Sequence, residues 1–434
     1  MSRIAQERGR IGARLTKFWT TERFHFLRTV CVVVFVCPVF VLGALNVSLS
    51  FLENYSHPQW DFFLRYGEVS CLVDYGIDPY DVFLGKIQND IVLPFCMEYT
   101  SREDVLDHYW VCGYPPWEYS LMILFKCFPF FAADAIYRGI EVIALIGVIW
   151  YSFKRKSLFS EFSFKSFVLG FAVLLLPPLA WKYAFDFGNW SIPFCLAAIV
   201  FVYCLQHDQP IPAGLAWSFL MIKPQQGIWF AIPLLFRRQF KTVFIAVSTC
   251  ILASIPPALL CGKSPVALIL EIPKFRLQPY VESSFFPPAM YERINAFLFP
   301  KAALVMGAVL CLSFCIWGTW KLRKERDWFV FLQPTFFCVC AGYPLWPQDW
   351  LYFFFPILFL LETGLLQNDI PLWIRSLAIL LVIGLANPVS WVQFDFLPLF
   401  SAISPQEVLS MATWSLFAFL VFWVFQDGKA NVRT

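Results

Sequence analysis

Residues 60–81 read WDFFLRYGEVSCLVDYGIDPYD, preceded by Gln59 and, further upstream, by an apolar run over 29–51 long enough to cross a bilayer. The carboxylates of this stretch therefore fall at a membrane–water boundary, where ionisable groups usually have a function. Asp61 stands among Trp60, Phe62 and Phe63, and partial desolvation there raises a carboxyl toward the range of a useful base. The DPYD segment reads mainly as turn chemistry, with Pro79 fixing the backbone and the flanking acids bonding locally. Helix capping is accordingly the simpler reading for Asp74, Asp78 and Asp81.

Composition sets the class. The chain has 434 residues, of which 59% are hydrophobic and only 15% charged, and its mean hydropathy is +0.63. It is too apolar for a soluble domain and reads as an all-α polytopic membrane protein. Aromatic residues make up 19%, led by 50 Phe, which suits lipid-facing helices with interfacial rings. A formal net charge of +3 gives no reason to expect nucleic acid as a partner. Most of the 14 Cys lie inside apolar runs and read as small buried hydrophobes. Cys96 and Cys112 can pair if their loop faces an oxidising compartment, with the connectivity left open.

Positive charge orients the chain. Residues 1–28 carry seven Lys and Arg against Glu7 and Glu22, which places the N-terminus in the cytoplasm. One membrane domain over 29–428 follows, and a cytoplasmic tail, 429–434, closes the chain. The first external loop spans 52–133. Within it Pro116–Phe131 is short for a crossing and carries Glu118 and Lys126. It is expected to lie along the interface, because a crossing there would put Lys154-Arg155-Lys156 outside. Spans are then expected at 134–153, 166–186, 188–205, a pair 211–222 and 224–238 hinged at Lys223-Pro224, and 240–261. After a second external loop, 262–297, come 298–320, 328–344, 350–366, 372–392 and 407–425, giving about ten to twelve transmembrane helices.

On this topology polar residues gather at the outer face, with Asp61, Arg65, Glu68, Asp74, Asp78 and Asp81 from the first loop, as in an outward-open cavity. Lys182 and Asp186 precede Gly188-Asn189-Trp190 at a helix end, and Lys223 marks the broken pair. Arg293 comes from the second loop, and Gln348-Asp349 sits between two Trp residues. An unpaired ammonium at Lys223 costs about 2.5–3.5 kcal/mol by insertion scales. Snorkelling is one answer; the other is a phosphate counter-charge at a helix break. An aromatic belt explains the Trp pair but not the acid and amide between them.

The segments GIDPYD (76–81), GYPPWEYSLM (113–122), DFGNWSIPF (186–194), GLAWSFLMIKPQQGIWFAIPLLFRRQ (214–239) and AGYPLWPQDWLYFFFP (341–356) occur in an order that resembles glycosyltransferase family 87. These are GT-C-type mannosyltransferases that use polyprenyl-phosphate mannose. The resemblance covers roughly residues 30–366. It implies a GT-C-type fold with interfacial helices in the first external loop and Asp61 as catalytic base. Asp78, Pro79 and Tyr80 match the family's G-x-D-P-Y segment, Tyr114 with Pro115-Pro116 its Y-P-P, and Lys223-Pro224 its K-P. Gly188 and Asn189 match a G-Q-x-N segment whose glutamine is replaced here. Pro347-Gln348-Asp349 stands where relatives commonly carry a His-containing segment.

The implied reaction moves a hexose, mannose foremost, from a polyprenyl-phosphate donor in the outer leaflet to a lipid or glycan acceptor, with inversion. The chain has no Gly-rich nucleotide loop, in keeping with a lipid-linked donor. Lys223, with Lys182 or Arg293, would hold the departing phosphate. Asp186 or Asp349 would orient the acceptor, with Asp78, Tyr80, Tyr114, Asn189 and Gln348 lining the substrate site. No cofactor is called for, and a divalent metal stays open, since acids alone suit either arrangement. The competing class is a transporter or lipid flippase, which a broken helix with a buried Lys would also serve; the long ordered first loop and the lack of a visible repeat speak against it. A non-catalytic scaffold is a third. A bacterial inner membrane, with the site facing outward, is the expected location.

Overall fold

A computed structural model describes residues 59–83, 114–154, 184–185, 188–271, 288–341, 347–366 and 405–430. Among these residues every regular element is helical and none is a strand. The expected spans 29–51 and 372–392, most of 166–186, and the Cys96 and Cys112 pair lie outside the described residues.

Helix α1 (Trp60–Tyr75) starts where Gln59 leaves an extended backbone and carries Asp61 in its first turn, where the helix dipole favours an anion. The five-residue α2 (Pro79–Phe83) is capped by Asp78, whose Oδ1 accepts from the Tyr80 N–H at 2.9 Å. Helix α3 (Pro116–Lys126) begins with proline at its first position after an extended Pro115. At about 1.5 Å per residue its eleven residues reach about 16 Å, too short to cross a bilayer. Helix α4 (Phe130–Lys154), of 25 residues, is long enough to cross but carries Asp134, Arg138 and Glu141 in its first half.

The middle of the chain forms α5 (Ser191–Gln206), α6 (Pro210–Leu220), the single turn α7 (Pro224–Gly227), a 3-10 turn Ile228–Phe230 and α8 (Ala231–Phe236). The expected hinge at Lys223-Pro224 is therefore a true helix break. Next come α9 (Phe240–Ala253), α10 (Ile255–Leu260), α11 (Pro265–Glu271), α12 (Pro288–Phe297) and α13 (Ala302–Lys321). Helices α14 (Trp328–Phe331) and α15 (Gln333–Ala341), a 3-10 helix Pro347–Phe353, α16 (Phe354–Leu366) and α17 (Pro405–Ala430) complete the described elements.

By length and apolarity alone, two of the described stretches can cross a membrane, Phe240–Leu260 and Ala302–Lys321. Their outward faces expose Phe244, Leu252 and Val309, an apolar surface suited to lipid. The other apolar helices, among them α5 and α6, are shorter. Crossings read as single runs in the sequence are here interrupted by proline or by buried charge.

Packing divides the molecule into two apolar cores. One joins α1, α3 and the start of α4 through Phe62, Tyr66, Tyr119, Phe130 and Tyr137, with Trp190 added from the turn before α5. The other holds α5, α6, α8, α13, α15 and α16. The seam between them passes through residues 189–191, where Trp190 belongs to the first core and Ile192 to the second, and through 222–230, where Ile222 and Phe230 divide in the same way.

Gln59 locks α1 to this seam. Its Nε2 donates to Glu141 Oε2 at 2.6 Å and to the Phe185 carbonyl at 2.7 Å. Gly188 packs directly on it with φ +63, and an added Cβ would come within 2.6 Å of Gln59 Cβ. Gly188→Ala should therefore destabilise the protein by at least the roughly 1–2 kcal/mol of a left-handed non-glycine backbone. Thermal unfolding in detergent measures this, and an unchanged midpoint would show that Gln59 can yield.

Candidate active site

The site is built on the helix break. Proline at 224 disfavours helical backbone at the residue before it, and Lys223 adopts φ −108, ψ 81. A break inside an apolar bundle leaves carbonyls that need donors. Two indoles supply them: Trp217 Nε1 donates to the Gly227 carbonyl at 2.9 Å and Trp117 Nε1 to the Met221 carbonyl at 3.1 Å. Gly227 lies so close to α6 that an added Cβ would meet the Leu220 carbonyl oxygen at 2.5 Å. The Lys223 ammonium is thereby held inside the protein.

It meets an acid from far along the chain. Lys223 Nζ lies 2.5 Å from Asp349 Oδ1 and 3.1 Å from Ser191 Oγ, and Lys223 and Asp349 are each only 5% exposed. Ser191 Oγ donates to the same carboxylate at 2.7 Å and accepts from the Tyr352 hydroxyl at 3.3 Å. Each partner arrives from a helix start, Ser191 at the first position of α5 and Asp349 in the first turn of the 3-10 helix.

Asn189 connects this cluster to Asp61. Its Oδ1 accepts from the Ser191 N–H at 2.8 Å, and its side chain favours the charged form of Asp61. Asp61 is partly buried. Burial pushes its carboxyl above the ordinary aspartate value, Arg65 and then Lys223 pull it back, and Asp349 adds a further push upward. The acid is thus poised between a desolvating pocket and two cations.

A second layer surrounds Arg65. One guanidinium nitrogen lies 2.6 and 2.5 Å from the two Glu68 oxygens, and the Arg65 head sits 4.7 Å from the Tyr114 ring centre. The Tyr119 hydroxyl donates to Glu68 at 3.0 Å. Glu118, fully buried, accepts from Trp190 Nε1 at 2.8 Å. Burial pushes Glu118 up to about 7, although Arg65 and the indole N–H favour its charged form.

Of the residues expected in the site, Asp61, Asn189, Lys223 and Asp349 come together, and Tyr114 joins through Arg65. Asp78 and Tyr80 stand in a neighbouring network. Lys263 pairs with Asp78, and with Asp81 at 2.8 Å, while the Tyr80 hydroxyl donates to the Tyr114 carbonyl at 2.7 Å. Arg293 is not brought to the cluster: it is exposed on α12, whose Tyr291 and Ile294 turn toward the core instead. Lys182 and Asp186 lie outside the described residues, as does the side chain of Gln348, whose backbone adjoins Asp349 in the 3-10 helix.

Sequence reasoning counted Arg65 and Glu68 among the polar residues of the outer face but gave them no role, and left Glu118, Ser191 and Tyr352 without a place in the site. Arg65 had a readable signal, since it follows Asp61 by four residues and shares its helix face. Ser191 and Tyr352 had none, being ordinary residue types in apolar runs. Among the described residues no three His, Cys, Asp or Glu side chains gather as a metal-binding set.

Compared with known protein families, residues 110–345 match glycosyltransferase family 87. The chain belongs to glycosyltransferase family 87. No curated protein and no solved structure matches it significantly. Membership makes this family 87 protein a membrane glycosyltransferase, which decides against the transporter reading. The matched residues include Tyr114, Asn189, Ser191 and Lys223; Asp61 precedes them and Asp349 follows them, and the fold returns both acids to Lys223.

Proposed function

We propose that this family 87 enzyme transfers a hexose, mannose foremost, from a polyprenyl-phosphate donor to a hydroxyl of a lipid or glycan acceptor. The observation that carries this reading is the buried Lys223 ammonium, held by Asp349 at 2.5 Å and Ser191 at 3.1 Å and near enough to Asp61 to act on its carboxyl. Asp61 takes the acceptor proton as the acceptor oxygen attacks the anomeric carbon. The bond from that carbon to the phosphate oxygen breaks on the opposite face, its electron pair leaves with the lipid phosphate, and the anomeric configuration inverts.

Lys223 stabilises the charge that grows on the leaving phosphate. An ammonium has three N–H donors; Asp349 and Ser191 take two, and the third, without a partner among the described residues, would serve a phosphate oxygen. Asp349 thereby fixes the position of the cation. The basic segments at 1–28 and 321–326 support cytoplasmic termini and a Lys223 cluster on the outer face, within a GT-C-type fold. A bacterial inner membrane is the setting we favour.

The test supplies purified protein in nanodiscs with radiolabelled polyprenyl-phosphate mannose and a crude lipid extract. Label is expected in a new glycolipid with the anomeric configuration inverted. Transfer from another polyprenyl-phosphate hexose alone would overturn the sugar, transfer from a nucleotide sugar alone would overturn the donor class, and retention of configuration would overturn the single displacement.

A further inference from the structure

The Lys223 cluster lies at the N-terminal end of α5, and a second polar centre lies at the other end of the same helix, about 22 Å away at 1.5 Å per residue. There Leu205 and Gln206 join the end of α8 and the turn after α13 around an open cavity of about 580 Å³. Five cations line it, Arg237, Arg238, Arg323, Lys324 and Arg326, against the acids Asp208 and Glu325. Glu325 is committed to the backbone: its Oε1 accepts from the Arg326 N–H at 2.7 Å and the Asp327 N–H at 3.0 Å. None of the five cations forms an ion pair among the described residues. A concentration of positive charge in a concave site calls for an anion.

Two features make this more than a solvated basic turn. Arg237 is half-buried and rigidly placed, its guanidinium 3.8 Å from the Phe331 ring centre and 4.5 Å from that of Trp328, and it donates to the Glu325 carbonyl. Its Nε is buried and has no hydrogen-bond partner among the described residues. Arg238 adopts φ +54, a left-handed conformation in which glycine is the relaxed residue. The chain therefore keeps a cation at this rim where backbone energetics favour glycine.

Position says which anion. Arg238 lies just before α9, and Arg323, Lys324 and Arg326 lie just after α13, so the cavity opens at one end of each of the two described stretches that can cross a membrane by length and apolarity. Exposed Phe236, Phe240 and Trp320 stand beside the cations, as a membrane interface requires. We propose that this cavity binds the phosphate headgroup of an anionic phospholipid, on the membrane face opposite the Lys223 cluster. Arginine suits the task, because its planar fork matches phosphate oxygens.

Native mass spectrometry of the full-length protein in detergent, titrated separately with dioleoyl-phosphatidylglycerol, dioleoyl-phosphatidylcholine and inorganic phosphate, tests this. The phosphatidylglycerol adduct should form well below the phosphatidylcholine one. Arg323→Gln/Lys324→Gln/Arg326→Gln should weaken it on the order of 100-fold, at about 1 kcal/mol per cation near a charged headgroup. Arg238→Gly should weaken it about fivefold by the same reckoning while the unfolding temperature holds or rises, which separates lost binding from lost folding. Equal binding of the two lipids, or wild-type affinity in both variants, would overturn the proposal. So would displacement of phosphatidylglycerol by an equal concentration of inorganic phosphate, which would make the cavity a site for free anions.

Discussion

Asp61→Asn is expected to lower turnover by about 10²–10⁴-fold, the usual contribution of a positioned general base, while donor binding persists. The amide is nearly isosteric with the carboxyl, so the turn before α5 should hold. What it lacks is a basic oxygen for the acceptor proton. The pH profile gives a second reading of the same group. Burial raises the Asp61 carboxyl above the ordinary aspartate value, with Arg65 and Lys223 opposing. A base with a raised value is protonated, and idle, over a wider acidic range. Wild-type turnover should therefore climb with pH through a midpoint above that of a free aspartate, and the residual activity of Asp61→Asn should lack this limb. Undiminished transfer by the variant in nanodiscs would remove Asp61 from its role and leave membership of family 87 intact.

Features that follow from short-range rules were legible in the sequence. The helix break follows from one proline after Lys223, and the short α3 from a sixteen-residue run with Pro115-Pro116 at its head. The withdrawal of Lys223, and in part of Asp61, from solvent could be read from their apolar neighbours. Features that depend on how helix ends meet were not legible. Lys223 and Asp349 are 126 residues apart, and no local signal joins them. Gln59 reaches Glu141 and the Phe185 carbonyl across 82 and 126 residues, so the anchor of α1 is equally invisible. Arg293 shows the opposite error: a cation in an external loop had the right charge for a phosphate, but charge does not say which side of α12 faces inward. The number of crossings was also harder to read than the helical class, because α4 and the α6–α8 segment mix helical length with charge and proline.

Lys223→Met should cost stability and activity together, and the two losses can be separated. With Lys223 gone, Asp349 keeps Ser191 but loses its counter-charge in a place 5% exposed. Breaking a buried ion pair by removing one partner costs about 3–5 kcal/mol, enough to lower the unfolding temperature in detergent clearly. Asp349→Asn alone should be destabilising too, since the ammonium then lies buried beside neutral Ser191, Tyr352 and the new amide. In Lys223→Met/Asp349→Asn both charges are absent, and replacing a buried pair as a whole is often neutral. The double variant should therefore recover most of the lost stability. Transfer decides what the pair is for. If the cation only staples the 3-10 helix to the break, restoring stability restores turnover. If Lys223 meets the donor phosphate, the double variant folds but stays inactive, because a refilled cavity offers no charge to the leaving group. Turnover returning in step with the unfolding temperature would therefore refute the phosphate role of Lys223.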